Sequence, residues 1–197
     1  AQQYPRALQA LLNGRAMLEP EIIRIAAARL HGAEKSRQQI RQLSLDHPEI
    51  TIDDAYAIQR EWMKLKFAEG RTVKGHKIGL TSKVMQDAVG STEPDHGVIY
   101  ADMFYGQGDT IPFDRFIAPR LEVELAFVLG ADLSGPGCTL DAVLDATEYV
   151  TPAIEILDAR IQMTDPDTGS TRTIVDTISD NAADAGIVVG PQRFGPR

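Results

Sequence analysis

The chain has 197 residues, 43% of them hydrophobic and 24% charged, with a formal net charge of −8. That length suits one domain with a real core, and the acidic balance argues against nonspecific nucleic-acid binding, which needs a basic footprint. No run of roughly 18 apolar residues predicts a membrane helix, no basic segment leads into an apolar signal core, and the single Cys138 has no internal partner, which together predict a cytoplasmic protein.

In chain order, residues 20–43 place Ile22, Ile23, Ala26, Leu30, Ile40 and Leu43 at helix-like spacing among charges. Thr51 followed by Asp54 reads as a capping box. The helix it opens is predicted to run to about Glu69, with Ala55, Ile58, Trp62, Leu65 and Phe67 as its apolar positions and Gly70 as its stop. Beyond Gly70 come short β-rich runs: Val73–Leu80, Val98–Tyr100, Leu121–Leu129, Val150–Leu157 and Ile187–Val189. Thr139 is placed to cap a short helix over 140–147. Residues 163–172, rich in Asp, Thr, Gly and Pro, read as an exposed loop. The fold class is α+β: a helical region over 1–70, then a mixed β region over 71–197.

The most informative segment is Pro119-Arg120-Leu121-Glu122-Val123-Glu124-Leu125-Ala126-Phe127-Val128-Leu129. On a strand, alternate residues share a face. Leu121, Val123, Leu125, Phe127 and Leu129 form the expected core face, and Arg120, Glu122 and Glu124 the other. Two carboxylates two residues apart lie roughly 7 Å apart at the backbone and repel unless a cation lies between them. A hard divalent cation is one resolution, and a simple wet strand face is the other. Glu155, flanked by Ile154 and Ile156 in a run that is apolar on both faces, needs a partner. A metal shared with Glu122 and Glu124 would serve, as would a salt bridge to Arg160 or another basic residue.

Lys74-Gly75-His76-Lys77-Ile78-Gly79-Leu80-Thr81-Ser82 sets glycines on both sides of Lys77, which permits close approach by a ligand. His76 and Lys77 face opposite ways on a regular strand, so one of them faces a site. Glu93-Pro94-Asp95-His96-Gly97 reads as a tight turn. In the polar cluster Asp176-Thr177-Ile178-Ser179-Asp180-Asn181, Asp180 is placed to cap a following turn.

Taken as an ordered set, the Gly75–Ser82 run, Glu93-Pro94-Asp95, Pro119–Glu124, Pro152-Ala153-Ile154-Glu155 and Asp176–Asn181 resemble the hydratase and decarboxylase branch of the fumarylacetoacetate hydrolase superfamily. The similarity runs from about Ala33 to Gly190. It implies a barrel-like mixed β domain of the fumarylacetoacetase C-terminal type, apparently lacking its last strands. It also implies a Mg²⁺ or Mn²⁺ site of Glu122, Glu124 and Glu155, with Lys77 and Asp95 handling protons as a mutually stabilising ion pair. Arg120 and Ser179 are secondary candidates for substrate contact. The activity it implies is addition of water to an unsaturated 2-oxo diacid such as 2-oxo-hept-4-ene-1,7-dioate, in the homoprotocatechuate route of aromatic catabolism. The implied assembly is a homo-oligomer, with association to the pathway decarboxylase as a further expectation. A decarboxylase of the same branch and a non-catalytic or truncated partner subunit are the alternatives.

Overall fold

The computed structural model describes residues 17–197. Helix α1 spans Pro20–Ser36, with proline in its first turn, Glu21 near its positive end and Lys35 near its negative end. It stops at Arg37, whose left-handed backbone (φ 55°) turns its amide back onto Ala33 O and Glu34 O. The helical spacing expected to continue to residue 43 therefore breaks. Ile40 bridges Ile161 in parallel, and Leu43 begins a separate short helix, α2 (Leu43–Asp46). Tertiary bonds explain the break: the Gln42 side-chain amide donates to Gln162 O, Met163 O and Ser170 O, tying this segment to a distant loop. That loop is mostly exposed, as its composition suggests, with one buried carboxylate. Asp165 is buried, accepting from the Thr168 amide and hydroxyl and pairing with Arg41.

Helix α3 (Ile52–Ala68) carries the expected capping box, with the Asp54 amide donating to Thr51 Oγ1 and the Thr51 amide to Asp54 Oδ2. The other Asp54 oxygen accepts from the Leu18 amide at 2.8 Å, which fixes the start of α1 against this cap. Ala55, Ile58 and Trp62 form the buried stripe of α3. Ile58 and Trp62 join Leu30, Leu43, Tyr100, Met103 and Ile161 in one hydrophobic cluster, each large side chain contributing about 1.5–3 kcal/mol by burial.

Strand β1 (Val73–Gly79) pairs antiparallel with β2 (Asp95–Tyr100), and α4 (Lys83–Val89) lies between them in sequence. The run Glu93–Gly97, expected as a turn, instead delivers Asp95, His96 and Gly97 as the first residues of β2, because Asp95 pairs with Gly79 and Gly97 with Lys77. The second sheet contains β3 (Phe104–Tyr105), β4 (Arg120–Leu129), β5 (Thr147–Leu157) and β6 (Asp184–Val189) in the order β3-β6-β5-β4. Helix α5 (Leu140–Ala146) precedes β5, capped by Thr139 as predicted, and α6 (Ile174–Ser179) precedes β6. The sheet is open among the described residues, with β4 at its edge, rather than the expected barrel.

The alternation of β4 is as predicted, but its apolar face is not a core face. Val123 is 89% and Leu121 68% exposed, and Leu125, Phe127 and Leu129 are exposed beside them. The core lies with the helices and β2 instead. Among the described residues, no helix is long and apolar enough to cross a membrane.

Candidate metal and acid–base site

Strands β4 and β5 run antiparallel with Glu122 directly opposite Glu155, and Glu124 two residues on from Glu122 along the same face. One carboxylate oxygen from each of the three lies within 4.8 Å of the others. Glu122 and Glu124 are exposed and Glu155 is buried. Three anions this close, one of them cut off from water, demand positive charge. Rigid neighbouring strands hold hard oxygen donors suited to a divalent cation.

One cation already faces the cluster. Lys77 Nζ lies 3.1 Å from Glu155 Oε1 and donates to Ala182 O at 3.2 Å. Burial pushes the Glu155 carboxyl above its usual range, with Lys77 opposing and Glu122 and Glu124 adding to the rise. His76, on the opposite face of β1, is exposed, so Lys77 is the strand's inward charge. The expected Lys77–Asp95 ion pair is replaced by Lys77–Glu155. Asp95 is buried across the β1–β2 ladder from Gly79. Burial raises its carboxyl above the normal range despite Lys77. A Cβ on Gly79 would lie 2.2 Å from Asp95 Oδ1, so any other residue here would push this carboxylate from its present position. His96 turns away, stacking on Tyr56 with ring centroids 4.5 Å apart.

The acceptor for Lys77 comes from a strained turn. Asn181, Ala182 and Ala183 have φ of 54°, 53° and 58°, a left-handed conformation that costs L-residues roughly 1–2 kcal/mol each. The turn is held because Asn181 Oδ1 accepts from the Val98 amide and Asn181 Nδ2 donates to Val98 O, as a neighbouring strand would. Gly97 leaves room for it, since a Cβ there would lie 2.6 Å from Asn181 O. Strain concentrated beside a charged cluster is a mark of functional sites. Asp180, expected as a turn cap, makes no cap bond. It accepts from Arg160 Nε at 2.6 Å and from the Arg160 amide at 2.7 Å. Arg160 is thus committed to Asp180 rather than Glu155.

These residues line a cavity of about 380 Å³ that contains Lys77, Asp95, Glu122, Glu124 and Glu155. Of the two secondary candidates, Arg120 lies on the exposed part of β4 and Ser179 is fully buried in α6, and neither lines the cavity. Two charged residues missed in the sequence belong to this region. Arg172 lines the cavity from the loop before α6. Asp184, at the start of β6, is buried with neither oxygen bonded to a side chain. Burial, followed by the nearby Glu155 charge, pushes Asp184 up to about 7. A charged residue opening an apolar strand was the available signal for Asp184; Arg172 sits in a stretch whose composition marks only a loop.

No family model matches the chain. It is 59% identical over 172 residues to the 2-oxo-hept-4-ene-1,7-dioate hydratase of Escherichia coli, covering 87% of this chain and 64% of that protein. It is also 38% identical over 169 residues to a 2-hydroxypent-2,4-dienoate hydratase of Pseudomonas putida, covering 85% of this chain and 73% of that one. The chain belongs to the hydratase and decarboxylase branch of the fumarylacetoacetate hydrolase superfamily. Within this superfamily, 4-oxalocrotonate decarboxylase from Pseudomonas putida G7, solved in complex with magnesium and adipate, superposes with a TM-score of 0.82 at 29% identity. That match covers 91% of this chain and 66% of the decarboxylase. The chain thus spans about two thirds of the length of these superfamily members.

Proposed function

We propose that this chain carries the site of a divalent-metal-dependent hydratase that acts on 2-oxo-hept-4-ene-1,7-dioate in aromatic catabolism. The observation that carries the reading is the cross-strand pair Glu122–Glu155 with Glu124 beside it, facing Lys77 across one cavity. The 59% identity to the hydratase of Escherichia coli, against 29% to the decarboxylase, favours water addition over carbon dioxide release. The magnesium in the decarboxylase complex supports Mg²⁺ as the ion, and the carboxylate ligands suit Mn²⁺ as well. The enzyme is read as cytoplasmic, a homo-oligomer, and a partner for the pathway decarboxylase.

Glu122, Glu124 and Glu155 would hold the cation, which when bound supplies Lewis-acid polarisation of the substrate's 2-oxo acid head. Lys77, on the cavity wall, delivers a proton to C5 of the dienol and takes up the one that the C2 hydroxyl gives up, leaving the conjugated 3-en-2-one. Asp95, whose burial brings its carboxyl nearer neutrality, accepts a proton from the water that adds at C4 and returns one to C3. The net change is one water added, giving the 4-hydroxy-2-oxo diacid. Gly79 sets the height of Asp95 over the strand, and Ala182 O holds Lys77 Nζ in place.

The test is ultraviolet loss of 2-hydroxyhepta-2,4-dienedioate with and without Mg²⁺, with products identified. Metal-dependent formation of the 4-hydroxy-2-oxo diacid is expected. Carbon dioxide release instead would assign the decarboxylase, and a folded, metal-loaded chain without turnover would point to a truncated or non-catalytic chain.

A further inference from the structure

We infer that Arg172 is the residue that receives the far carboxylate of a diacid substrate, and so selects dioates over monoacids of the same 2-oxo class. The inference rests on the hydratase reading above. It starts from an unpaired cation. Arg172 makes no side-chain hydrogen bond or ion pair with any described residue, and its Nη1 is buried without a partner. A buried guanidinium nitrogen left unbonded is costly.

The acidic neighbours that would ordinarily satisfy it are taken. Asp180 spends its oxygens on Arg160 and on the amides of residues 160 and 161. Asp176 accepts from the Ser44 amide and hydroxyl and from the Thr173 amide and hydroxyl. Burial disfavours the Arg172 charge overall, and Asp180 and Asp176 offset part of this at a distance while leaving its donors free.

The position is built rather than incidental. The Arg172 amide donates to Met163 O at 2.8 Å, and the next residue, Thr173, forms a capping box with Asp176 that pins the start of α6. Arg172 therefore reaches the cavity from a fixed backbone. It lines the same cavity as the three glutamates and the apolar side chains of Leu80, Met85 and Leu157. A cation-seeking cluster, an apolar wall and a free guanidinium match a chain with a chelating 2-oxo acid head, a hydrocarbon middle and a second carboxylate. Guanidinium–carboxylate pairing is bidentate and charge-assisted, the geometry in which Arg outperforms Lys.

The test uses 2-oxoheptanedioate and 2-oxoheptanoate, which share a head, lack the double bond to be hydrated, and differ only at C7. Their binding to the Mg²⁺-loaded protein is measured by calorimetry for wild type, Arg172→Gln and Arg172→Lys. Wild type should prefer the diacid by about 10- to 100-fold, as expected for one charge-assisted contact. Arg172→Gln should bring that ratio to about 1, and Arg172→Lys should restore part of it. A ratio that survives in Arg172→Gln overturns the inference, as does a wild type that binds both acids equally tightly. A wild type that binds neither acid with Mg²⁺ present sinks the parent reading as well, so the two failures are distinguishable.

Discussion

Lys77 Nζ on β1 lies 3.1 Å from Glu155 Oε1 on β5, so a single ion pair bridges the two sheets at the acidic cluster. The lysine holds the position of charge compensation beside the only buried member of that cluster.

Glu155→Gln should weaken the metal site first. Affinity for Mg²⁺, followed by calorimetry, should fall at least about tenfold with loss of one anionic ligand. Metal-free stability should change less, because the substitution removes the pair with Lys77 but also a carboxylate charge that burial, Glu122 and Glu124 all disfavour, and Lys77 keeps its bond to Ala182 O. Unchanged Mg²⁺ affinity would remove Glu155 from the metal site.

Gly79→Ala should disturb Asp95 directly, since the new methyl would overlap Asp95 Oδ1. A cost of about 1–3 kcal/mol is expected from overpacking, read as a lower denaturant midpoint. Turnover should drop further than stability accounts for, because the displaced carboxylate is the proposed base. Wild-type turnover in Gly79→Ala would argue against Asp95 in that role.

Asn181→Ala removes both bonds to the Val98 peptide and puts alanine where asparagine tolerates a left-handed backbone. Destabilisation of about 2–3 kcal/mol is expected. Amide exchange should report it locally, with the Val98 amide losing protection ahead of the rest of β2.

Asp184 gives the metal-free protein a pH dependence. Its carboxyl is raised from 3.8 to about 7, with Glu155 reinforcing burial and Lys77 and Arg160 opposing it. Between those values the folded chain holds a proton that the unfolded chain has released. The Asp184 contribution to stability is thus highest near the lower value, falls as pH rises, and levels off above about 7, while burial lowers His31 and His96 below 6.5 and makes them act in the opposite direction. Glu155, Asp95 and Asp180 are raised too and act in the same direction as Asp184. Chemical melts in chelator at about pH 5, 6 and 8 should show a stability difference between wild type and Asp184→Asn that declines as pH rises. A slope unchanged in Asp184→Asn would contradict the assignment.

Local order was legible in the chain itself. The Thr51–Asp54 box and the Thr139 cap start their helices where the side chains predict, because each satisfies amides within three residues. Strand alternation placed Glu122 and Glu124 on one face and turned Lys77 away from His76, since a strand's period of two needs no outside partner. The resemblance brought Glu155 and Asp95 to the same place, and the geometry gathers all five residues around one cavity.

Sequence by itself determined which residues share a face and where helices begin, because those bonds close over a few residues. Only the tertiary structure decided what covers each face and which charges meet. Val123 and its neighbours carry a core pattern but meet no packing element among the described residues. Lys77 pairs with Glu155 rather than Asp95, and Arg160 with Asp180. Arg172 Nη1 is left without an acceptor among the described residues because Asp176 and Asp180 are claimed by groups far along the chain. Such pairings depend on three-dimensional competition among donors and acceptors, which no local spacing encodes.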